Sequence, residues 1–261
     1  LKASEKAGLP KNVFQILHLD HSSTSKVIAD SRIDHVLFTG SVSGGIEVKK
    51  AIGTRFIGAG LELGGKDPAY VRADCNFDHA VENLVDGSYY NSGQSCCGIE
   101  RIYVDEKIFD NFVDAFKAQT EKYILDNPLD NSTNLGPVVK LSAANNIRDQ
   151  VSKALNNGAK NIIDESKFKI DNSDNCYVSP SALINVDHSM EFMMEETFGP
   201  TVGIMKVKNE EEAEKLMNDS PYGLTASIWT SDKDFASNFG NKIQTGTFFM
   251  NRCDYLDPGL A

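Results

Sequence analysis

The chain is expected to fold as an α/β protein with a largely parallel sheet, and three observations carry that expectation. Short runs rich in β-branched and aromatic residues alternate with stretches whose apolar residues recur at helical spacing, from one end to the other. A glycine turn joins the first clear strand to the first clear helix, which is how a βαβ unit opens. No internal repeat and no low-complexity linker interrupts the alternation.

Taken in order, Leu1 to Ala7 reads as the tail of a helix stopped by Gly8 and Pro10. Ile33–Phe38 is a β-rich run, and Thr39-Gly40-Ser41 leads from it into a helix through Lys49, Lys50 and Ala51. A second strand near Arg55 to Leu63 closes on Gly64-Gly65. Ala80, Val81, Leu84 and Val85 give Phe77–Tyr90 a helical period, and Ile108, Phe109, Phe112, Val113 and Phe116 give a clearer one. Leu141, Ala144, Ile147, Val151 and Leu155 mark a further helix, stopped by Gly158. Asn209 with Glu212 three residues on resembles a capping box ahead of Ala213, Leu216 and Met217. Short strands fall at Arg101–Val104, Val202–Val207, Leu224–Trp229 and Gly246–Met250.

At 261 residues the chain is near the upper limit for one hydrophobic core and permits two modest domains, with the glycine pair Gly64-Gly65 as the natural boundary. Lys and Arg number 26 against 37 Asp and Glu, a net charge of −11. Such a surface repels phosphate backbones and anionic lipid, so neither nucleic-acid nor membrane-surface binding is expected. No apolar run approaches the roughly 20 residues that span a bilayer. The start, Leu1 to Lys6, lacks the apolar region of a signal peptide. Five Cys at irregular spacing form neither a disulfide framework nor a CxxC knuckle, so no metal site is expected. Free thiols in a reducing, cytoplasmic setting follow.

Four places are stranger than a core requires. Thr39 to Gly45 puts glycines after a strand and before a helix, where backbone N–H groups attract anions; equally, such a turn can need glycine for its own geometry. Leu61-Glu62-Leu63-Gly64-Gly65-Lys66 sets a carboxylate between leucines at a strand end, where partial burial would raise its pKa toward that of a general base; the alternative is an edge-strand Glu facing water. Asn91 to Gly98 holds Cys96 and Cys97 in a Gly/Ser/Gln loop, as an activated nucleophile or as a buried structural thiol. Met194 to Pro200 presents Glu195 and Glu196 ahead of Phe198-Gly199-Pro200, either a carboxylate fixed at a rigid turn or a solvated acidic turn.

In this order the pieces resemble the aldehyde dehydrogenase superfamily, NAD(P)-dependent enzymes built on a Cys and a Glu, along almost the whole chain. The resemblance is carried by Ala7-Gly8-Leu9-Pro10, Phe38-Thr39-Gly40-Ser41, Leu61-Glu62-Leu63-Gly64-Gly65-Lys66, Asn91-x-Gly93-Gln94-x-Cys96, Glu195-Glu196-x-Phe198-Gly199-Pro200 and Tyr222-Gly223-Leu224. It implies that residues 1–64 are the last part of a Rossmann-like dinucleotide-binding domain, residues 65–251 a catalytic thiol domain and 252–261 a C-terminal tail. It implies Cys96 as the nucleophile toward a small aldehyde, through a thiohemiacetal and a thioester, with its own backbone N–H facing the oxyanion. It implies Glu62 as the base that deprotonates the deacylating water. NAD or NADP is the implied cofactor, with Gly40 and Ser41 at its pyrophosphate, Leu63 among its contacts, Glu196 on the nicotinamide ribose and Phe198 near that ring. Homo-oligomers are implied as well.

The sequence also departs from the family. Residues 14 to 17 correspond to a strand that glycines usually follow, and His18 to Ser23 stand there instead; Val42-Ser43-Gly44 replaces a usual Thr-Glu-hydrophobic run. Complete members carry an upstream segment with the first strands of the cofactor domain, an oxyanion-hole Asn and a ribose-gripping Lys, and a further segment after the position of Asn251. Both ends read as cut from something longer, so these 261 residues alone are expected to show little dehydrogenase turnover. Two alternatives accompany that expectation: a folded catalytic-domain remnant without activity, and a weak, cofactor-independent thiol esterase.

Overall fold

In a computed structural model, which describes residues 2–253, the backbone divides after Leu63 into two units. The first contains α1 (Lys2–Lys6), α2 (His21–Ala29), β1 (His35–Thr39), α3 (Val42–Ile52) and β2 (Gly58–Glu62). β1 and β2 pair in parallel, with Leu37 opposite Gly60 and Thr39 opposite Glu62, and α3 is the crossover between them. The turn after β1 is closed by the Gly40 amide donating to the Glu62 carbonyl at 3.0 Å. Arg55 ties the unit together by donating to the carbonyls of Ile28, at 2.8 Å, and Ile33.

Two features of this unit differ from the sequence reading. Residues 14 to 17 form no strand; Phe14, Ile16 and Leu17 lie exposed in irregular backbone, because no neighbouring strand offers them a ladder. α2 was not anticipated, since His21-Ser22-Ser23-Thr24-Ser25 reads as loop chemistry. Its start is set by Asp20, whose carboxylate accepts from the Ser23 amide at 2.7 Å.

The second unit is a seven-stranded sheet with helices between its strands. Its elements are β3 (Asp67–Val71), α4 (Phe77–Tyr89), β4 (Ile99–Asp105), α5 (Phe109–Thr120), α6 (Leu141–Asn156), β5 (Lys160–Asn161), β6 (Ser181–Ile184), α7 (Glu191–Met194), β7 (Thr201–Val207), α8 (Glu210–Asn218), β8 (Thr225–Trp229), α9 (Lys233–Gly240) and β9 (Thr247–Met250). The strand order is β5-β6-β7-β4-β3-β8-β9, and every pair but β5–β6 is parallel. The α/β, largely parallel expectation thus holds. Parallel strands covered on both faces are continuously apolar, and β3 and β8 are buried at every position. Leu84, Val85, Ile102, Phe112, Phe116 and Val202 belong to the core on one face of the sheet. Tyr70, Tyr103, Ile228 and Phe239 belong to a second cluster. β3, β5, β6, α7 and α9 were missed: each is short, and β3 begins on Asp67-Pro68, a pair that reads as a turn.

The expected C-terminal tail falls, from residue 254 on, outside the described residues. Among the described residues no helix is long and apolar enough to cross a membrane.

Candidate active site

In the second unit the candidate residues gather where parallel strands begin. Gly64, Gly65 and Lys66 lead into β3, Cys96 and Cys97 into β4, Thr197 to Pro200 into β7, and Tyr222-Gly223-Leu224 into β8. Open parallel sheets usually hold ligands beyond the carboxyl ends of their strands. Here the candidates lie at the opposite rim, in the loops that enter the strands.

The thiol loop is fixed by unusual backbone. Asn91, Ser92 and Gly93 have φ of 51°, 58° and 69°, three successive left-handed residues. Gly93 is required twice over, because a Cβ there would lie 2.0 Å from the Gly199 carbonyl oxygen. The Ser92 hydroxyl donates to the Gly136 carbonyl at 2.8 Å, and Gln94 Oε1 accepts from the Val139 amide at 2.8 Å. Cys96 sits in the tight turn closed by the Gly98 amide donating to the Ser95 carbonyl at 3.1 Å. The two sulfurs are 3.7 Å apart. They differ in access: Cys97 is 2% exposed and packs as a core thiol, whereas Cys96 is half-buried.

The Gly64-Gly65 pair lies between that loop and Glu196. A Cβ on Gly65 would meet the Cys96 carbonyl oxygen at 2.5 Å, and one on Gly64 would stand 2.2–2.4 Å from the Glu196 carboxylate. The Gly65 amide donates to Glu196 Oε1 at 3.1 Å. Burial raises the Glu196 pKa above the usual carboxylate range, while the Gly65 bond opposes that rise. Phe198, two residues on, is in the left-handed region at φ 53° and 40% exposed. Cys96, Glu196 and Phe198 are therefore brought together, with glycine the only residue that fits between.

Beneath them runs a buried polar network. Lys66 and Glu100 form an ion pair at 2.5 Å, their side chains 1% and 6% exposed. Lys66 also donates to Thr197 Oγ1 at 3.2 Å, and that hydroxyl donates to Gln150 Oε1 at 2.8 Å. Burial lowers the Lys66 pKa, and the Glu100 carboxylate opposes the shift. Arg101, also buried, donates to the Lys66 carbonyl at 2.8 Å and to the Tyr103 hydroxyl at 3.2 Å. Asp67 accepts from the Thr225 amide at 3.2 Å and from the Thr225 hydroxyl, yet burial pushes its carboxyl up to about 7. Lys66 stood in a quoted motif without a role; Asp67, Glu100, Gln150 and Thr197 were missed. A signal existed for Glu100: Glu-Arg inside the apolar run Ile99–Val104 places two charges in a central strand, where each must find a partner.

The remaining candidates lie in the first unit. Glu62, at the end of β2, is exposed there, so the partial burial expected for it is not found; β1 and β2 form a two-stranded sheet that does not enclose the strand end. Gly40 and Ser41 are exposed at the start of α3, where Ser41 Oγ accepts from the Gly44 amide at 3.2 Å as the N-cap. The clearance at Gly40 and Gly44 is filled by the Phe38 ring, which a Cβ on either would meet at 2.6 Å. Both glycines are thus required by the turn's own packing. Leu63 packs on Gly45 of α3, where a Cβ would meet its side chain at 2.8 Å. A cavity of about 580 Å³ is lined by His21, Ser25, Phe38, Ser41, Ser43 and Glu47, among others. Its size, its serine hydroxyls and the α3 N-terminus on its wall suit the adenosine and phosphate part of a nucleotide. A comparable cavity of about 600 Å³ beside α6 is lined by neither Cys96 nor Glu196. Among the described residues no group of three His, Cys, Asp or Glu is placed to hold a metal ion.

The aldehyde dehydrogenase family model matches residues 1–259. The succinate semialdehyde dehydrogenase [NAD(P)+] Sad of Escherichia coli is 35% identical over 255 residues, covering 98% of this chain and 54% of that protein. The cytosolic aldehyde dehydrogenase 1 of Rattus norvegicus is 34% identical over 249 residues, covering 95% and 49%. Among solved structures, the succinic semialdehyde dehydrogenase of Streptococcus pyogenes in complex with NADP+ superposes with a TM-score of 0.92 at 30% identity, over 98% of this chain and 56% of that one. The betaine aldehyde dehydrogenase of Staphylococcus aureus in complex with NAD+ does so with 0.83 at 31%, over 89% and 46%. The chain spans about half the length of these relatives. It belongs to the aldehyde dehydrogenase family.

Proposed function

We propose that the protein of which this chain forms part oxidises a small aldehyde to a carboxylic acid with NAD or NADP, and that Cys96 is its nucleophile. The observation that carries this reading is the pairing of a half-buried Cys96 with a packed, inaccessible Cys97 in a loop held by three left-handed residues beside Gly65 and Glu196. A thiol held at the mouth of a rigid loop can add to a carbonyl, whereas its neighbour cannot reach one. The Cys96 thiolate would attack the aldehyde carbon and form a thiohemiacetal, with the developing oxyanion facing the Cys96 amide. Gly40 and Ser41 at the N-terminus of α3 would meet the cofactor's phosphates, Leu63 would be among its contacts, and Glu196 and Phe198 would hold its ribose and ring. A nicotinamide bound there supplies a hydride acceptor. Cys96 would then carry the acyl group as a thioester, and Glu62 would take the proton from the water that releases it as acid. At the end of β2 the Glu62 side chain is exposed to solvent.

We also assign residues 1–64 to the cofactor domain and 65–251 to the thiol domain, with assembly into homo-oligomers and a cytoplasmic location. For these 261 residues alone, little dehydrogenase turnover is expected. Calorimetric titration with NAD tests the reading without a choice of aldehyde. Saturable binding, weakened in Glu196→Gln, supports a cofactor site on this chain; heat indistinguishable from dilution overturns it. Hydrolysis of an activated ester, lost in Cys96→Ala and indifferent to NAD, would instead favour the thiol esterase alternative.

A further inference from the structure

Glu100 is the one acidic side chain of β4 that points into the network beneath the thiol loop rather than to solvent, and four contacts converge on its carboxylate. Lys66 Nζ donates to Oε2 at 2.5 Å. The Thr197 amide donates to Oε2 at 2.9 Å and reaches Oε1 at 3.2 Å. The Phe198 amide donates to Oε1 at 2.9 Å. Both oxygens are thus occupied, and a hydroxyl or a single carbonyl in this place could not accept all of them.

The backbone that Glu100 holds is strained. Phe198 sits at φ 53°, a conformation that costs a residue with a side chain free energy and persists only where the surroundings impose it. Two adjacent amides pinned by one carboxylate, itself paired with Lys66, impose it. The residue preceding that pair is Glu196, whose carbonyl accepts from Gln150 Nε2 at 3.4 Å and whose carboxylate accepts from the Gly65 amide. Lys66, which follows Gly65, grips the same Glu100. The network therefore fixes both partners of the Glu196–Gly65 contact, one through the Thr197–Phe198 backbone and one through Lys66.

We propose that Glu100 is a positioning residue: its carboxylate locks the Glu196–Phe198 turn and so sets the Glu196 carboxylate at Gly65, beside the Cys96 loop. This deepens the proposed function and rests on Glu196 being the ribose-binding carboxylate. Glu100 itself touches neither cofactor nor aldehyde.

Amide hydrogen exchange on the full chain tests it, comparing wild type with Glu100→Gln, which keeps the shape but replaces one accepting oxygen by a donor. The amides of Thr197, Phe198 and Gly65 are expected to exchange at least tenfold faster, while those of α5 and the centre of β4 are unchanged. Unchanged protection at Thr197 and Phe198 overturns the proposal. Should Glu100→Gln fail to fold because Lys66 is left buried without a counter-ion, the double variant Glu100→Gln with Lys66→Met removes both charges. There the same three amides must still exchange faster; wild-type protection would mean that Glu100 serves only as a counter-ion, and the proposal fails. Titration of the same proteins with NAD separates the two readings. A loosened turn in Glu100→Gln with no NAD binding by wild type upholds the positioning role and refutes the cofactor site. NAD binding by wild type with an unloosened turn does the reverse.

Discussion

Replacing Asp67 by Asn is expected to remove a large part of the chain's loss of stability between mildly acidic and mildly alkaline pH. Asp67 is 1% exposed, and burial pushes its carboxyl from 3.8 up to about 7 against the opposing bonds from Thr225. The native state therefore holds a proton, between about pH 4 and pH 7, that the unfolded chain has released. Stability then falls as pH rises through that window, because the unfolded state binds fewer protons than the native one. At 1.36 kcal/mol per pKa unit the whole effect is about 4 kcal/mol, of which about 3 kcal/mol falls between pH 5 and pH 8. Asn carries no titrating proton, yet its carbonyl can accept from the Thr225 amide and its NH₂ can donate to the Thr225 hydroxyl, so the neutral geometry is kept. The assay is urea unfolding at pH 5 and pH 8, followed by the fluorescence of Trp229, the chain's one tryptophan and fully buried. Wild type should lose about 3 kcal/mol more than Asp67→Asn between the two conditions. Equal losses would refute the reasoning, since burial would then not be holding a proton on Asp67.

Three further outcomes follow from the geometry. Gly93→Ala should cost well above the roughly 1–2 kcal/mol of a left-handed side chain, because its Cβ also strikes the Gly199 carbonyl, whereas Gly158→Ala, at φ 99° with nothing within 4 Å, should cost that strain alone; similar urea midpoints for the two would contradict this. Under limiting iodoacetamide at pH 8, peptide mapping should find Cys96 modified at least about tenfold faster than Cys97, since access rather than residue type separates them, and faster labelling of Cys97 would count against the loop geometry. His188 donates or accepts at 2.9 Å with the Tyr103 hydroxyl and at 2.8 Å with Asp219, and burial holds it below its usual range despite that carboxylate. Below about pH 6.5 the unfolded chain takes up a proton there before the native one does, so stability falls on acidification, and His188→Gln should flatten that fall in the same urea titration.

Much of the fold was legible because parallel α/β architecture writes itself twice, as apolar strands and as amphipathic helices. Phe112 and Phe116 announce α5 by their spacing, and Asn209 with Glu212 marks the start of α8, where the Asn209 side chain accepts from the Glu212 amide at 3.0 Å. What escaped was short or locally contradictory. β3 opens with Asp67-Pro68 and earns its place only through ladders to β4 and β8 on either side, information that five residues do not contain. α2 opens with His21, three serines and a threonine before Lys26, and its start is set by one capping carboxylate, Asp20. Residues 14 to 17 fail in the other sense: their composition is that of a strand, but a strand exists only where another offers it hydrogen bonds.

The candidate site divides along the same line. Cys96, Glu196 and Phe198 were legible because each stands in a segment whose residues make little sense as core, and motif order placed them. The Lys66–Glu100 pair was not, because a buried charge is recognised only from its partner, and these two are separated by α4 and the whole thiol loop. Removing either partner from such a pair costs about 3–5 kcal/mol, since the remaining charge is stranded, so the pair must be accounted for by something stability alone does not require. Two apolar residues of similar volume could fill the same space without the desolvation penalty. What they could not do is accept from the Thr197 and Phe198 amides, and without that acceptor a left-handed Phe198 has nothing to hold it. The charge beneath the loop is thus explained by the turn above it, and the turn by the carboxylate it presents at Gly65.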